Sequence, residues 1–104
     1  MRKDFPKTLR IGGFDFNVII TDPDDLDSKV GEFDKERNRI RIIDIPSEDL
    51  QDSALIHEMI EALNYIYELN LDHNVITSLE GGFYQFLKDN PLWFKVRKKN
   101  ENNR

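Results

Sequence analysis

The sequence predicts an α+β domain in which a small, mainly antiparallel sheet packs against an antiparallel pair of helices. Short segments that alternate apolar and polar residues occupy the first half of the chain, and two long segments with helical periodicity occupy the second. Only three residues separate the two helical segments. A chain of 104 residues is long enough for one domain. We assign it to 1–94 and expect a polar tail at 95–104.

The first strands are predicted to form a β-hairpin. TLRIGG (8–13) and FDFNVII (14–20) alternate around Gly12-Gly13, a glycine pair that is typical of a tight hairpin turn. The segment that follows, TDPDDLDS (21–28), is acidic and contains a proline. We expect a loop or a short helical turn there.

A second hairpin is predicted around the tripeptide KER. Its strands are KVGEFD (29–34) and NRIRIID (38–44). Because successive side chains of a strand point to opposite faces, one face should carry isoleucines and the other arginines. The isoleucines are Ile40 and Ile42, and the arginines are Arg39 and Arg41.

The first helix is predicted over 47–69, with Ser47 as its N-cap and Asn70 as its stop. Its apolar arc should consist of Ile56, Met59, Ile60, Leu63, Ile66 and Tyr67. A narrow polar stripe lies opposite and contains His57, Glu61, Asn64 and Glu68. Glu58 lies to one side of that stripe.

The second helix is predicted over 73–90 and ends at Asn90-Pro91. Its core arc should contain Val75, Ile76, Leu79, Phe83, Phe86 and Leu87, beside a stripe of His73, Thr77, Glu80 and Tyr84. The short link makes the two helices antiparallel, so their polar stripes should face one another across a cleft. Gly81-Gly82 inside the helix indicates a close backbone approach or a bend.

Composition excludes several classes of function. The net charge of −5 disfavours nonspecific binding to nucleic acid, which requires clustered cations. No apolar run approaches the roughly 20 residues of a membrane span, and MRKDFPK lacks the apolar core of a signal peptide. We therefore expect a cytoplasmic protein without a membrane partner. The chain has no cysteine, so a metal site would use nitrogen and oxygen ligands.

His57 and Glu61 are the strongest candidates for metal ligands. They lie one helical turn apart and project together, so both side chains can reach one ion. Glu58 is offset from them and is placed to hold a water rather than the metal. The alternative interpretation is that these residues are the solvated face of an ordinary amphipathic helix.

The segment LIHEMIEAL, after the strand GEFDKERNRIRI, resembles the zincin, or metallopeptidase-like, fold. The resemblance covers about residues 29–92 and extends to short phage and prophage proteins that carry an HExxE or HExxH helix. It implies a zinc site with Glu58 as general base and a glutamate on the next helix as third ligand. Glu80 lies 19 residues after Glu61 and matches that spacing. Glu61 itself departs from the pattern, because it stands where the second histidine belongs.

His73 is a candidate for the missing nitrogen ligand, which makes His57, Glu61, His73 and Glu80 the predicted shell around zinc or another divalent metal. Four protein ligands would leave no open position and would indicate a structural site. In an active enzyme, Tyr84 would steady the developing oxyanion, and the strand GEFDKERNRIRI would pair with an extended peptide.

Three functions are compatible with the sequence. The first is a zincin-like phage or prophage protein in the bacterial cytoplasm, with a metal site that is degenerate as a catalyst, acting by binding a protein partner. The ground for degeneracy is that Glu61 adds an anion to the shell, which weakens the metal as a Lewis acid. The second is an active metal-dependent peptidase, and the third is an unrelated α+β domain without a metal site.

Overall fold

The computed structural model describes residue 2 and residues 4–91 of the chain. Its elements, in chain order, are β1 (Thr8–Ile11), β2 (Phe14–Thr21), a 3-10 turn (Pro23–Leu26), β3 (Gly31–Asp34), β4 (Arg39–Ile43), α1 (Glu48–Ile66) and α2 (His73–Asp89). The α+β class that the sequence predicts is confirmed. The predicted domain end at 94 and the tail at 95–104 lie outside the described residues.

The four strands form one sheet in the order β1-β2-β4-β3. Each predicted hairpin is present as an antiparallel pair, and a parallel pairing of β2 with β4 joins the two. At the first turn Gly12 and Gly13 have φ angles of +58° and +85°, which residues with a Cβ rarely adopt. β3 is an edge strand because β4 lies between it and β2.

One face of the sheet packs on α1 and forms the core. Ile40 and Ile42 are 0% exposed there, as the alternation of β4 predicts. The other buried apolar residues of this cluster are Phe5, Ile11, Phe16, Val18, Ala54, Leu55 and Ala62. On the opposite face Arg39 and Arg41 form cross-strand ion pairs with Asp34 and Glu32, at 3.1 Å and 2.7 Å. These four charged side chains of the polar face are therefore paired with one another.

Helix α1 begins as predicted but ends a turn early. The Ser47 hydroxyl accepts a hydrogen bond from Leu50 N at 3.2 Å and caps the first turn. The helix stops at Ile66 rather than at Leu69, because Glu68 and Asn70 adopt left-handed backbone angles that turn the chain back toward α2. A helix cannot continue through residues with positive φ.

Helix α1 is buried on two sides, by the sheet and by α2. This arrangement makes the buried set broader than one apolar arc: it consists of Gln51, Ala54, Leu55, Glu58, Ile60 and Ala62. Glu58, predicted to lie beside the polar stripe, is among them. Tyr67, assigned to the apolar arc, is 58% exposed because it lies past the end of the helix.

The core arc predicted for α2 is wrong for five of its six residues. Only Ile76 is buried, whereas Val75, Leu79, Phe83, Phe86 and Leu87 are between 37% and 52% exposed. The reason is that α2 packs mainly on α1 and has no further layer on its outer side among the described residues. Within the described chain, neither helix has the combination of length and apolarity needed to cross a membrane.

We predict that Ile40→Ala lowers the free energy of unfolding by about 2–5 kcal/mol, because it leaves a cavity beneath α1. Ile19→Ala is the matched control, since Ile19 is 38% exposed on the opposite face of the sheet. Its loss should stay below about 1 kcal/mol. Urea unfolding followed by circular dichroism measures both, and equal losses would contradict the placement of the core.

Candidate metal centre

A cavity of about 660 Å³ opens between β3, α1 and α2. From β3 and the residues before it, the lining consists of Lys29, Val30, Gly31, Glu32 and Phe33. The helices contribute Leu50, Ser53, Ala54, His57, Glu58, Glu61, His73, Thr77 and Glu80. Part of each predicted polar stripe is thus brought to one cavity, His57 and Glu61 from α1 and His73, Thr77 and Glu80 from α2, with an edge strand along its side.

Three of the predicted ligands converge in this cavity. One ligand atom from each of His57, Glu61 and His73 lies within 4.8 Å of the others. His57 Nε2 is 3.4 Å from Glu61 Oε2, and the two imidazole rings meet edge to face with centroids 5.4 Å apart. Bonds of 2.0–2.1 Å to one tetrahedral ion imply a ligand separation of about 3.3–3.4 Å. The pair on α1 therefore already has the spacing that a tetrahedral ion requires.

The link between the helices places His73 opposite His57. The Asn64 side chain accepts a hydrogen bond from Leu71 N at 2.9 Å and donates one to Leu71 O at 3.3 Å. Asp72 then caps α2 by accepting from Val75 N at 3.0 Å. These bonds tie the first residue of α2 to the last turns of α1, so His73 is held where it meets the ligands on α1.

Glu80 contacts the other nitrogen of His57. Its Oε1 lies 2.9 Å from His57 Nδ1, and its Oε2 accepts a hydrogen bond from the Ser53 hydroxyl. An ionised Glu80 makes Nδ1 the protonated nitrogen and leaves the Nε2 lone pair facing Glu61 and His73. Glu80, predicted as a ligand, is thus placed to orient His57, and its role as a ligand stays a prediction. Ser53 was missed by the sequence analysis, although its position one turn before His57 is the signal that would have found it.

Glu58 is a buried carboxyl at the side of the cavity. Its side chain is 7% exposed, and it lies against Gly31 of β3. A Cβ at position 31 would stand 3.1 Å from Glu58 Oε2 and 2.9 Å from Ile42 Cδ1, so glycine makes room for the carboxyl. Gly31 was not among the residues singled out from the sequence.

The pKa of Glu58 is raised to about 7. Burial is the main cause, because it disfavours the charged form. A positive charge on His57 would oppose the rise, and the carboxylates of Glu61, Glu32 and Glu80 add to it. A carboxyl with such a pKa can take up and release a proton near neutral pH.

The structure does not bring Tyr84 to the cavity. Its half-buried phenol lies instead near Asp49 and Lys88, where burial and then the interaction with Asp49 raise its pKa. Asp49 is eight residues before His57, a separation of about 12 Å along a helix. The predicted role of Tyr84 at the oxyanion thus has no support from its position.

The three converging side chains fit a divalent transition metal. Two imidazoles and one carboxylate match the ligands of catalytic zinc sites, which use three protein ligands and keep a further position open. One ring nitrogen from each of His57 and His73 would bind the metal, and the contact with Glu80 sets which nitrogen of His57 is free. The donors thus carry a single formal negative charge, that of Glu61.

The chain was compared with protein-family models, with curated proteins and with solved structures, and no significant match was found. The resemblance to zincins therefore remains a prediction, and so does an origin in phage or prophage. The interpretation of the site depends on its own geometry.

We predict that Glu58 makes the metal-free protein less stable as the pH rises. The Glu58 carboxyl has a higher pKa in the folded protein than in the unfolded chain, so the folded protein holds its proton more tightly. The stability that protonated Glu58 contributes is fully present below pH 4.5 and is lost as the pH rises to about 7. The advantage of Glu58→Gln over wild type should therefore grow by roughly 3 kcal/mol between about pH 4 and about pH 8. Urea unfolding in the presence of a chelator measures this difference.

The control for that experiment is Glu36→Gln, because Glu36 is an exposed glutamate on the turn between β3 and β4. Its stability relative to wild type should not change over the same pH range. A pH-independent difference for Glu58→Gln would contradict the burial of an ionisable carboxyl beside Gly31.

We also predict different effects on metal affinity for the ligands and for the residues that orient them. His73→Ala removes a donor atom and should abolish tight zinc binding. Glu80→Gln and Ser53→Ala keep all three donors and should weaken binding by about 10–100-fold, the usual effect of losing a partner that orients a ligand. Titration calorimetry with zinc distinguishes these cases. Loss of binding in Glu80→Gln as complete as that in His73→Ala would show that Glu80 is itself a ligand.

Proposed function

We propose that the protein is a metal-dependent hydrolase that cleaves peptide bonds. The observation that carries the proposal is the meeting of two histidines and one glutamate beside a buried carboxyl in one cavity. An isolated cluster of acidic groups on the surface would have no buried carboxyl beside it. The combination of a three-donor set with a separate base is the arrangement used in metal-assisted hydrolysis.

The donor set supports catalysis more than the sequence alone suggests. Glu61 replaces a histidine on α1, but His73 returns one from α2, so the set still contains two histidines and one carboxylate. Glu80 faces His57 Nδ1 and adds no second anion to the donors. The three converging donors therefore include one anion, Glu61, rather than the two of a shell that also contains Glu80.

A divalent ion bound by His57, Glu61 and His73 would supply Lewis-acid activation of a water and of the substrate carbonyl. Glu58 accepts the proton that the attacking water loses. It then passes that proton to the leaving amine as the peptide C–N bond breaks, so the carboxylate is regenerated at the end of the cycle. Glu80, which accepts a hydrogen bond from Ser53, holds His57 in one orientation throughout.

The edge strand β3 is the proposed substrate platform. It lies at the margin of the sheet, and Gly31, Glu32 and Phe33 line the cavity. An extended peptide added to this edge would run past His57 and Glu58, with backbone hydrogen bonds fixing its register. This placement favours a peptide over a compact small molecule.

Metal binding without catalysis, with a protein partner at the same edge, is the second candidate. The observation that favours it is the exposure of His73, whereas His57 and Glu61 are half-buried. A donor in contact with solvent is less well shielded from water than catalytic ligands commonly are. Such a protein would bind zinc and a peptide and leave the peptide intact.

We predict that protein loaded with zinc cleaves unstructured peptides near neutral pH and loses this activity with a chelator. Glu58→Gln should lower kcat by about 10²–10⁴-fold or more, because the base is removed, while its zinc affinity stays close to that of wild type. Mass spectrometry of the peptide products and calorimetry of zinc binding measure the two quantities. Glu36→Gln again serves as the control and should retain full activity.

Zinc binding without cleavage by the wild type would favour the second candidate. Cleavage that survives Glu58→Gln would contradict the proposed base. Failure of the wild type to bind zinc would remove the site altogether and leave the α+β domain without a metal.

A further inference from the structure

The outer face of α2 is an apolar surface that the described part of the chain leaves open. It consists of Val75, Leu79, Phe83, Phe86 and Leu87, which are all exposed, together with Gly82 between them. Val75, Leu79, Gly82 and Phe86 follow the 4-3-4 spacing of a helix that packs along another helix. We call this surface the outer α2 face.

Nothing in the described part of the chain explains why position 82 is a glycine. A Cβ added at Gly82 meets nothing within 4 Å, so the folded chain itself does not require glycine. Glycine inside a helix is destabilising relative to alanine. On the outer α2 face, however, it leaves a gap between Leu79 and Phe86 in which a second backbone or an aromatic ring can approach closely.

The same face is free of charge. Between Asn74 and Leu87 the only charged residue is Glu80, and its carboxylate is turned to His57 and Ser53. Two chains that each carry a net charge of −5 can therefore meet at this surface without bringing like charges together. A membrane surface is a poorer occupant, because amphipathic helices that bind membranes carry lysine and arginine on their polar face, and α2 carries only Lys88.

We propose that the outer α2 face binds the same face of a second copy of this chain. The two α2 helices cross in antiparallel orientation near Gly82. In that arrangement Phe83 and Phe86 of each chain pack against the gap at Gly82 of the other, so the face supplies both the projecting group and the recess. This self-complementarity is what selects a second copy over an unrelated partner. The contact lies outside the metal centre and does not depend on the proposed activity.

The exposed surface sets the expected strength of the pair. Five side chains that are one third to one half exposed offer on the order of 400 Å² of apolar surface in each chain. Both chains together stay below the roughly 1,200 Å² of stable complexes. The dimer should therefore be reversible, with a dissociation constant in the micromolar range.

Sedimentation equilibrium of the full chain, from about 5 μM to about 1 mM, tests the proposal. Wild type should pass from monomer to dimer over this range. Gly82→Ala should weaken association by about 10-fold or more, because the new methyl fills the gap. In dilute, monomeric samples the same variant should raise Tm by about 5 °C, because alanine favours the helix. The two measurements are expected to move in opposite directions.

Gly81→Ala is the matched control. Gly81 lies next to Gly82 but points away from the outer α2 face, and its Cβ also meets nothing within 4 Å. It should raise Tm by a similar amount and leave association unchanged. A wild type that is monomeric up to about 1 mM would overturn the proposal. That result is the one expected if a segment of the same chain covers the face. Equal effects of the two glycine variants on association would overturn it as well.

Discussion

The burial of α1 on two sides is the constraint on which the rest of the structure depends. The sheet covers one side of this helix and α2 covers another. Adjacent helical residues point about 100° apart, so His57 and Glu58 enter different surroundings although they are neighbours in sequence. His57 faces Glu61 and the residues of α2, whereas Glu58 faces Gly31 of β3. Without the sheet Glu58 would lie in water, and without α2 His57 would lose its contact with Glu80.

The cavity holds four glutamates, and each is accommodated in a different way. Glu32 pairs with Arg41, and Glu80 accepts hydrogen bonds from His57 and Ser53. Glu61 lies with the two histidines as a donor, and Glu58 has a raised pKa because it is buried near the other three. Among the described residues of the lining, Lys29 is the one lysine. A cavity with this charge favours a bound cation, in agreement with the converging donors.

The two faces of α2 show how one amphipathic helix serves two purposes. The face toward α1 carries His73 and Glu80 and completes the candidate site. The opposite apolar face makes few contacts with the described chain and stays exposed. Periodicity identifies an apolar face but does not reveal what covers it, since a core and an interface require the same residue types. For that reason the core arc predicted for α2 corresponds to exposed residues.

The sequence by itself determined both hairpins, the cap at Ser47, the alternation of β4 and the pairing of His57 with Glu61, because each depends on contacts within a few residues. It also predicted that His73 would meet them, although six residues, rather than the predicted three, link α1 to α2. Only the tertiary structure decided that Glu58 is buried against Gly31, that Glu80 contacts Nδ1 of His57 and that Tyr84 lies elsewhere. Those outcomes depend on how far α2 is rotated and shifted along α1, and side-chain packing between distant segments sets that geometry.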